Sequence, residues 1–252
     1  MPRIFFCRHG EAAHNPLLVA GNYKAKDPKE MNAALLRQAR SIVDPALTEA
    51  GRAQAVALGE KLVAEGAQFD ICVTSPLARA IETAHLAFGK CTSKFLITPE
   101  LCETATGPTG LKLAGPQRGV SKAEMLEKHG FISTWDLSYV RDDGEGANWI
   151  LGEPITPTEE VGGEIGKAWH HPVPIEERLQ PLALWLKARP EATVAIVGHS
   201  GVFDKLIGKD VSACYPIGDP AEPPAQTARC RQARESPSTL TLALLSSLVS
   251  NR

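Results

Sequence analysis

The fold is decided near the start of the chain by the run IFFCRHG, residues 4–10. Four apolar residues predict a short buried strand, and the glycine that follows permits a tight turn. The strand therefore carries Arg8 and His9 to its own carboxyl end. An imidazole beside a guanidinium at such a position suits a histidine that meets a phosphoryl group. The tripeptide alone is a weak signal, since an exposed strand end with an ordinary salt bridge has the same sequence.

The rest of the chain alternates apolar runs with helical periodicity. Further strands are predicted at residues 71–73, 95–97 and 193–197. Helices are predicted at residues 30–41, 48–65, 77–88, 120–128 and 174–189, and a loop at residues 15–25. This alternation predicts a single three-layer α/β/α domain, with a mainly parallel sheet covered by helices on both faces.

Capping residues and apolar spacing make these helix predictions more specific. Asp27 followed by Pro28 predicts the start of the first helix, and Thr48 predicts the N-cap of the second. The buried face of the second helix is predicted to consist of Ala53, Val56, Ala57, Leu58, Leu62 and Val63. For the helix at residues 174–189 the predicted apolar set is Ile175, Leu179, Leu182, Leu184 and Leu186.

Composition narrows the class of protein. The chain has 252 residues, is 43% hydrophobic and carries a net charge of −2, which allows a sizeable core and indicates neither nucleic acid nor an anionic membrane as partner. No apolar run has the length of a membrane span. The six cysteines form no CxxC pair, and the first strand leaves no room for a leader segment. We therefore expect a cytoplasmic protein with reduced thiols, and the sequence indicates no oligomeric state.

Polar groups follow three of the predicted strands. They are Arg8 and His9 after the first, Arg79 after the second, and His199 with Ser200 after the last. In an open parallel sheet, ligands bind outside the carboxyl ends of the strands, so these groups are expected to converge on one anion. Guanidinium groups match phosphate oxygens bidentately, and helix amino termini add N–H donors. The sequence therefore predicts a phosphate site.

The residue types also predict a reaction. A neutral imidazole can attack phosphorus, and His9 is the candidate nucleophile because the buried strand fixes its backbone. His199 would hold and polarise a phosphoryl oxygen. Glu103 is the candidate proton donor to the leaving alkoxide, and Glu100 is its competitor. A solvated loop carboxylate is the alternative interpretation of Glu103.

Four motifs occur in one order along the chain. They are FCRHGE at residues 6–11, Ser75-Pro76 followed by Arg79, LCE at residues 101–103, and GHSG at residues 198–201. Together they resemble the histidine phosphatase superfamily, also called phosphoglycerate mutase-like. The resemblance implies a phosphohistidine on His9, a phosphate pocket of Arg8, Arg79 and His199, Glu103 as the acid, and neither metal nor cofactor.

The run RHGEAAHN, residues 8–15, is similar to the RHGxxxxN form of that family. There the asparagine reaches the phosphoryl group, so Asn15 is a binding candidate, with a simple turn residue as the alternative. Ser200, which begins the last predicted helix, is a further candidate for substrate binding. The pair His14-Asn15 resembles the fungal and plant mutase-like branch. Glu103 is followed by TATGP instead of the run typical of mutases, which favours a phosphatase.

We therefore expect a phosphatase that hydrolyses a small phosphorylated metabolite. The alternatives are a phosphoglycerate mutase and a phospholigand-binding module without turnover. A catalytic domain is predicted over residues 1–210, with a lid at about 104–163, followed by an extension at 211–252. The pair His170-His171 lacks further ligands at metal-binding spacing, so a surface loop is preferred there.

Overall fold

A computed structural model describes residues 2–103, 119–140 and 175–207. Its strands are β1 (Arg3–Arg8), β2 (Ile71–Thr74), β3 (Phe95–Ile97) and β4 (Thr193–Gly198). Its α-helices are α1 (Asn15–Ala20), α2 (Ala33–Ser41), α3 (Glu49–Ala64), α4 (Ala78–Phe88), α5 (Lys122–Lys128), α6 (Ile175–Lys187) and α7 (Ser200–Ile207). Short 3-10 helices cover Pro28–Glu30, Pro99–Leu101 and Gly130–Thr134.

The described strands form one parallel sheet in the order β1-β4-β2-β3. Arg8 lies opposite Gly198, and Thr74 lies opposite Val197. The carboxyl ends of β1, β4 and β2 therefore finish side by side, with β4 in the middle. Any side chain that follows one of these strands directly is a close neighbour of those that follow the other two.

Alternation along the strands divides the core into two halves. Ala195 and Val197 of β4 pack in a cluster with residues of α3, α4 and α5. Val194 and Ile196 face the other way and pack with α6 and α7. Successive side chains of a strand point to opposite faces of the sheet, and both faces of this sheet are buried. The predicted three-layer α/β/α architecture with a mainly parallel sheet is confirmed.

The predicted buried face of α3 is wrong in part. Leu58 and Leu62 are buried, whereas Val56 and Val63 are 41% and 47% exposed. Ala53 and Ala57 are exposed as well. Small residues take their place, namely Gly51, Ala55 and Gly59. A Cβ added at Gly59 would lie 2.8 Å from the carbonyl oxygen of Leu86, so close approach to α4 selects the small residues instead of the larger valines.

Three other local predictions also differ from the structure. Residues 15–20 are helical instead of a loop, because Pro16 is compatible with a first helical turn. Asp27 caps the 3-10 helix Pro28–Glu30 only, and Asn32 starts α2 by accepting hydrogen bonds from the N–H groups of Ala34 and Leu35. Leu184, predicted to be part of the apolar set of α6, is 50% exposed.

Several predictions concern chain outside the described residues. These are most of the lid at residues 104–163, the pair His170-His171 and the extension at residues 211–252, so the predicted domain boundaries stay predictions. Within the described part, four cysteines are buried: Cys7, Cys72, Cys91 and Cys102. The helices described there include none with both the length and the apolar character needed to cross a membrane.

Candidate active site

The carboxyl edge of the sheet brings three predicted site residues together. His9 N–H donates to the carbonyl oxygen of Gly198 at 3.0 Å, which ties the turn after β1 to the end of β4. The His9 and His199 rings then lie 5.1 Å apart, centroid to centroid. Arg79, in the first turn of α4, reaches the same point from β2. We call His9, Arg79 and His199 the pocket floor; they are 5%, 1% and 0% exposed.

The two nitrogens of His9 have different partners. Nδ1 lies 2.7 Å from the carbonyl oxygen of Gly10, which only accepts hydrogen bonds, so Nδ1 carries the proton. Nε2 accepts a hydrogen bond from Arg79 Nε at 3.3 Å. Burial, followed by the charges of Arg79 and Arg8, lowers the pKa of His9 well below its usual value. The ring is therefore neutral, with its Nε2 lone pair directed into the pocket floor.

A short chain of contacts holds the turn after His9. Gly10 N–H donates to Thr83 Oγ1 at 3.0 Å, and the Thr83 hydroxyl donates to the carbonyl oxygen of Arg79 at 2.7 Å. A Cβ added at Gly10 would lie 2.6 Å from the carbonyl oxygen of Gly51 at the start of α3. Only glycine allows this approach. Thr83 therefore links the backbone beside His9 to the backbone of Arg79.

Arg79 is a buried cation, and two carboxylates partly offset the cost of its burial. Burial lowers its pKa to about 10, and the charges of Glu103 and Asp44 act in the opposite direction. Asp44 Oδ1 also accepts a hydrogen bond from Ala78 N–H at 2.9 Å. Its carboxylate thus satisfies an orphan donor at the amino end of α4 from a distant loop. Arg79 remains protonated at neutral pH.

His199 is held by Ser75, for which the sequence predicted no role beyond its place in the Ser75-Pro76 motif. His199 Nε2 lies 2.9 Å from Ser75 Oγ, and Ser75 N–H donates to the carbonyl oxygen of Val197. Burial, and then the charge of Arg79, lowers the pKa of His199 well below its usual value. Its Nδ1 is buried and has no hydrogen-bond partner among the described residues. This nitrogen is therefore available to form a hydrogen bond with a bound guest.

The other predicted residues lie around the floor, and we call Arg8, Asn15 and Glu103 the pocket rim. Arg8 is exposed, yet its charge lowers the pKa of both floor histidines. Glu103 is half-buried, and its charge is the largest influence that raises the pKa of Arg79. The structure thus places the Glu103 carboxylate within electrostatic reach of the floor.

Asn15 and Ser200 have local positions. Asn15 Oδ1 accepts a hydrogen bond from Ala12 N–H at 2.8 Å, and Asn15 Nδ2 lies 3.3 Å from His14 Nε2. These contacts join Asn15, the first residue of α1, to the turn that precedes the helix. Ser200 is the first residue of α7, directly after His199, and is half-buried.

Sequence reasoning missed Arg178 on α6. This side chain is 3% exposed. Its Nη1 donates to the carbonyl oxygens of Pro99 at 3.4 Å and Glu100 at 2.8 Å, and its Nη2 donates to that of Cys102 at 2.9 Å. The guanidinium thereby holds the loop that leads to Glu103. Its spacing was a usable signal, since position 178 lies three residues after Ile175 on the buried face of the helix.

The groups gathered here suit an anion better than a cation. Guanidinium groups, imidazoles and the amino ends of α4 and α7 all meet at this edge of the sheet. In residues 2–103, 119–140 and 175–207, no group of three or more histidine, cysteine, aspartate or glutamate side chains could hold a metal ion. A phosphate-sized oxyanion is the guest that matches the floor and the rim.

Comparison with curated proteins gives relatives among mutases. The chain is 29% identical over 174 residues to 2,3-bisphosphoglycerate-dependent phosphoglycerate mutase 2 of Lactiplantibacillus plantarum, covering 65% of each chain. It is 31% identical to the protein of the same name from Latilactobacillus sakei, covering 65% of this chain and 66% of that one. A mutase of Bartonella henselae is 36% identical over 38% of this chain and 45% of its own. The chain thus spans less than two thirds of the length of these relatives.

Solved structures of similar fold include two phosphatases. The alpha-ribazole phosphatase from Shigella flexneri is 21% identical with a TM-score of 0.41, covering 82% of this chain and 78% of that chain. The ecdysone phosphate phosphatase from Bombix mori is 20% identical with a TM-score of 0.45, covering 91% of this chain and 84% of that chain.

The family comparison covers the residues that form most of the pocket. The family model of the histidine phosphatase superfamily (branch 1) matches residues 4–129, half of the 252 residues. The match includes the turn after β1, the start of α4 and the loop that leads to Glu103. The predicted family is thereby confirmed, whereas the resemblance to its fungal and plant branch stays a prediction. This chain belongs to the histidine phosphatase superfamily.

Proposed function

We propose that this protein is a phosphatase that hydrolyses a small phosphorylated metabolite through a phosphohistidine formed on His9. One observation carries the proposal: the hydrogen bond from His9 Nδ1–H to the carbonyl oxygen of Gly10. It fixes the tautomer in which Nε2 carries a lone pair instead of a proton, and this lone pair accepts the hydrogen bond from Arg79 Nε. An imidazole held in this way is prepared for attack on phosphorus.

Protonation is the main threat to such a nucleophile, and the site opposes it. Burial and the neighbouring charges of Arg79 and Arg8 keep the pKa of His9 well below its usual value. The same cations that attract a phosphate dianion therefore keep the imidazole neutral. The pocket combines a strongly positive environment with an uncharged nucleophile.

In the first step, His9 Nε2 forms a bond to phosphorus as the ester oxygen leaves. The Arg79 Nε–H that donates to Nε2 can donate instead to a phosphoryl oxygen as the new bond forms. We assign the remaining oxygens to the exposed Arg8 guanidinium and to His199 Nδ1, a buried nitrogen that has no hydrogen-bond partner among the described residues. The Ser75 hydroxyl donates a hydrogen bond to His199 Nε2, so the ring proton of His199 is on Nδ1, which can donate to a phosphoryl oxygen.

The leaving alkoxide takes a proton from the Glu103 carboxyl group, and the resulting carboxylate later accepts a proton from the attacking water. Water attack on phosphorus breaks the P–N bond, returns His9 to its neutral form and releases inorganic phosphate. The charge of Glu103 acts on Arg79, which supports its assignment over Glu100. Glu100 instead has its carbonyl oxygen bound by Arg178.

A second candidate is phosphoryl transfer of the phosphoglycerate mutase type, because the curated relatives bear that name. A mutase needs further cations for the substrate carboxylate. The sequence offers Lys112, Arg118 and Lys122 in that part of the chain, and residues 112 and 118 lie outside the described residues. Conversion of 3- to 2-phosphoglycerate, with no net release of phosphate, would select this candidate.

A cytoplasmic location accompanies the proposal. Thiols buried in the core, as at four described cysteine positions, are typical of proteins in reducing compartments. The partner proposed is the small phosphorylated substrate itself.

The proposal is tested by trapping the intermediate. Brief incubation of the full chain with a labelled phosphomonoester, followed by a denaturing quench, is expected to yield an acid-labile, base-stable phosphoryl label on His9. His9→Ala should lose the label and reduce kcat/KM by on the order of a thousandfold or more. His85→Ala is the matched control, since His85 is exposed and stacks on Phe131 instead of facing the floor.

Two outcomes would contradict this assignment. Equal phosphate release by the wild type and by His9→Ala would show that the reaction does not use His9. Binding of inorganic phosphate without turnover of any ester in a broad panel would indicate the non-catalytic binding module instead. Addition of a chelator is expected to leave the rate unchanged.

A further inference from the structure

A third histidine, His14, lies beside the pocket floor and has no part in the proposed reaction. It is 7% exposed and directly precedes α1. Burial, and then the charges of Arg79 and Arg8, lower the pKa of His14 to about 3. The ring is therefore neutral at physiological pH and lies within electrostatic reach of both guanidinium groups.

Hydrogen bonds fix the tautomer of this ring. The backbone N–H of Ala12 donates to Asn15 Oδ1 at 2.8 Å, which determines which end of the Asn15 amide is the oxygen. The Asn15 Nδ2 group is then a donor, and it lies 3.3 Å from His14 Nε2. A ring nitrogen that accepts a hydrogen bond carries no proton, so the proton of the neutral ring is on Nδ1.

The Nδ1–H group of His14 has no partner. Its nitrogen is buried and makes no hydrogen bond with any of the residues that the structure describes. A buried donor without an acceptor costs free energy, and native proteins rarely leave one unsatisfied. Because this donor lies within electrostatic reach of two guanidinium groups, which bind oxyanions, an oxyanion oxygen is the acceptor that suits it.

We propose that His14 is a further substrate-binding residue, whose Nδ1–H donates to an oxygen of the bound phosphomonoester. In this proposal Asn15 is a positioning residue that sets the tautomer of His14. It takes this role instead of the direct phosphate contact that the sequence predicts for Asn15. This inference rests on the proposed function, because the oxyanion is the substrate of the His9 reaction.

The test compares two amide replacements of the same imidazole. In His14→Asn the amide nitrogen takes the place of Nδ1, whereas in His14→Gln it reaches the place of Nε2. Titration calorimetry with inorganic phosphate on the full chain is expected to show about tenfold weaker binding for His14→Gln and His14→Ala, and a change within about threefold for His14→Asn. Thermal unfolding of each variant shows whether it is folded.

Equal affinities of His14→Gln and His14→Asn would overturn the proposal, as would wild-type affinity in His14→Ala. Nitrogen chemical shifts of the labelled wild-type chain give an independent readout that needs no variant. A protonated Nδ1 and an unprotonated Nε2 are expected for His14, and the opposite tautomer overturns the inference.

Trapping of the phosphohistidine on the same preparations separates this inference from the proposed function. Wild-type protein that forms the intermediate, with phosphate binding unaffected by His14→Ala, contradicts the role of His14 alone. Wild-type protein that neither binds phosphate nor forms the intermediate contradicts both proposals.

Discussion

The pocket floor and the pocket rim are built differently. His9, Arg79 and His199 are almost completely buried, and each has a hydrogen bond to another group at the carboxyl edge of the sheet. The rim is more exposed, and its loop before Glu103 is held from outside by Arg178. The register of parallel strands fixes the floor and the backbone of Arg8. The rest of the rim is positioned separately, since Asn15 belongs to α1 and Arg178 of α6 holds the loop before Glu103. Substitutions in the floor should therefore affect the reaction more strongly than equivalent substitutions in the rim.

The same substitution at the two arginines gives the largest expected contrast. Arg79→Lys removes the Nε donor that lies 3.3 Å from His9 Nε2, and an ammonium group cannot reproduce the planar fork. We expect kcat/KM for a phosphomonoester to fall by on the order of a hundredfold to a thousandfold. Arg8→Lys keeps a charge on an exposed side chain, and we expect a loss of about tenfold. Steady-state kinetics on both variants measure the contrast, and equal losses would break the comparison.

Arg178 allows the rim to be weakened while the floor stays intact. Arg178→Met removes three hydrogen bonds to main-chain carbonyl oxygens in a buried position. We expect unfolding free energy to fall by about 3 kcal/mol and kcat on alkyl phosphates by about tenfold to a hundredfold. Inhibition by inorganic phosphate should change little, because the groups assigned to that anion, the floor residues and Arg8, lie outside the loop that Arg178 holds.

Arg178→Lys is the matched control, since it keeps the charge and one donor group but loses the fork. Its losses should lie between those of the wild type and of Arg178→Met. An Arg178→Met variant that weakens phosphate inhibition as much as it lowers kcat would show that floor and rim are a single unit.

The smallest expected effect concerns Asp44, which supports the floor by accepting from Ala78 N–H at the start of α4. Burial raises the pKa of Asp44 from 3.8 to about 6. The folded protein therefore holds this proton more tightly than the unfolded chain does. The associated stability is fully present below pH 3.8 and is lost as the pH rises through about 6. Asp44→Asn keeps an oxygen acceptor without the ionisation. The free energy of unfolding of the variant, relative to that of the wild type, should therefore be about 1.4 kcal/mol higher at about pH 8 than at about pH 5.

Urea unfolding of both proteins at the two pH values measures this difference. Asp70→Asn is the control, because hydrogen bonds from Thr193 lower the pKa of the exposed Asp70 carboxyl group. Its contribution is lost only as the pH falls below the usual range of a carboxyl group, so its effect should be the same at both values. A difference between wild type and Asp44→Asn that does not vary with pH would contradict the buried ionisation.

The elements that sequence reasoning predicted well are those with a strong local signal. Each strand is a short apolar run, and Thr48 caps α3 as predicted by accepting from Gly51 N–H. The buried face of α3 was wrong because hydrophobicity predicts the valines inside, whereas close contact with α4 selects Gly51, Ala55 and Gly59. Helix α1 was missed because its residues 15–20 are too few to show periodicity.

The sequence by itself determined the chemistry of the floor. A histidine directly after one strand, an arginine at the start of the helix after a second, and a histidine after a third are local patterns. Alternation of strands and helices along the chain indicated that they share one edge of a sheet. Only the tertiary structure decided which nitrogen of each ring carries a proton, that Asp44 and Thr83 support Arg79, and that Arg178 holds the loop before Glu103. These contacts join residues far apart in the chain, and their partners are often main-chain groups that every residue possesses. No local pattern can encode such a pairing, because it exists only after the layers have packed.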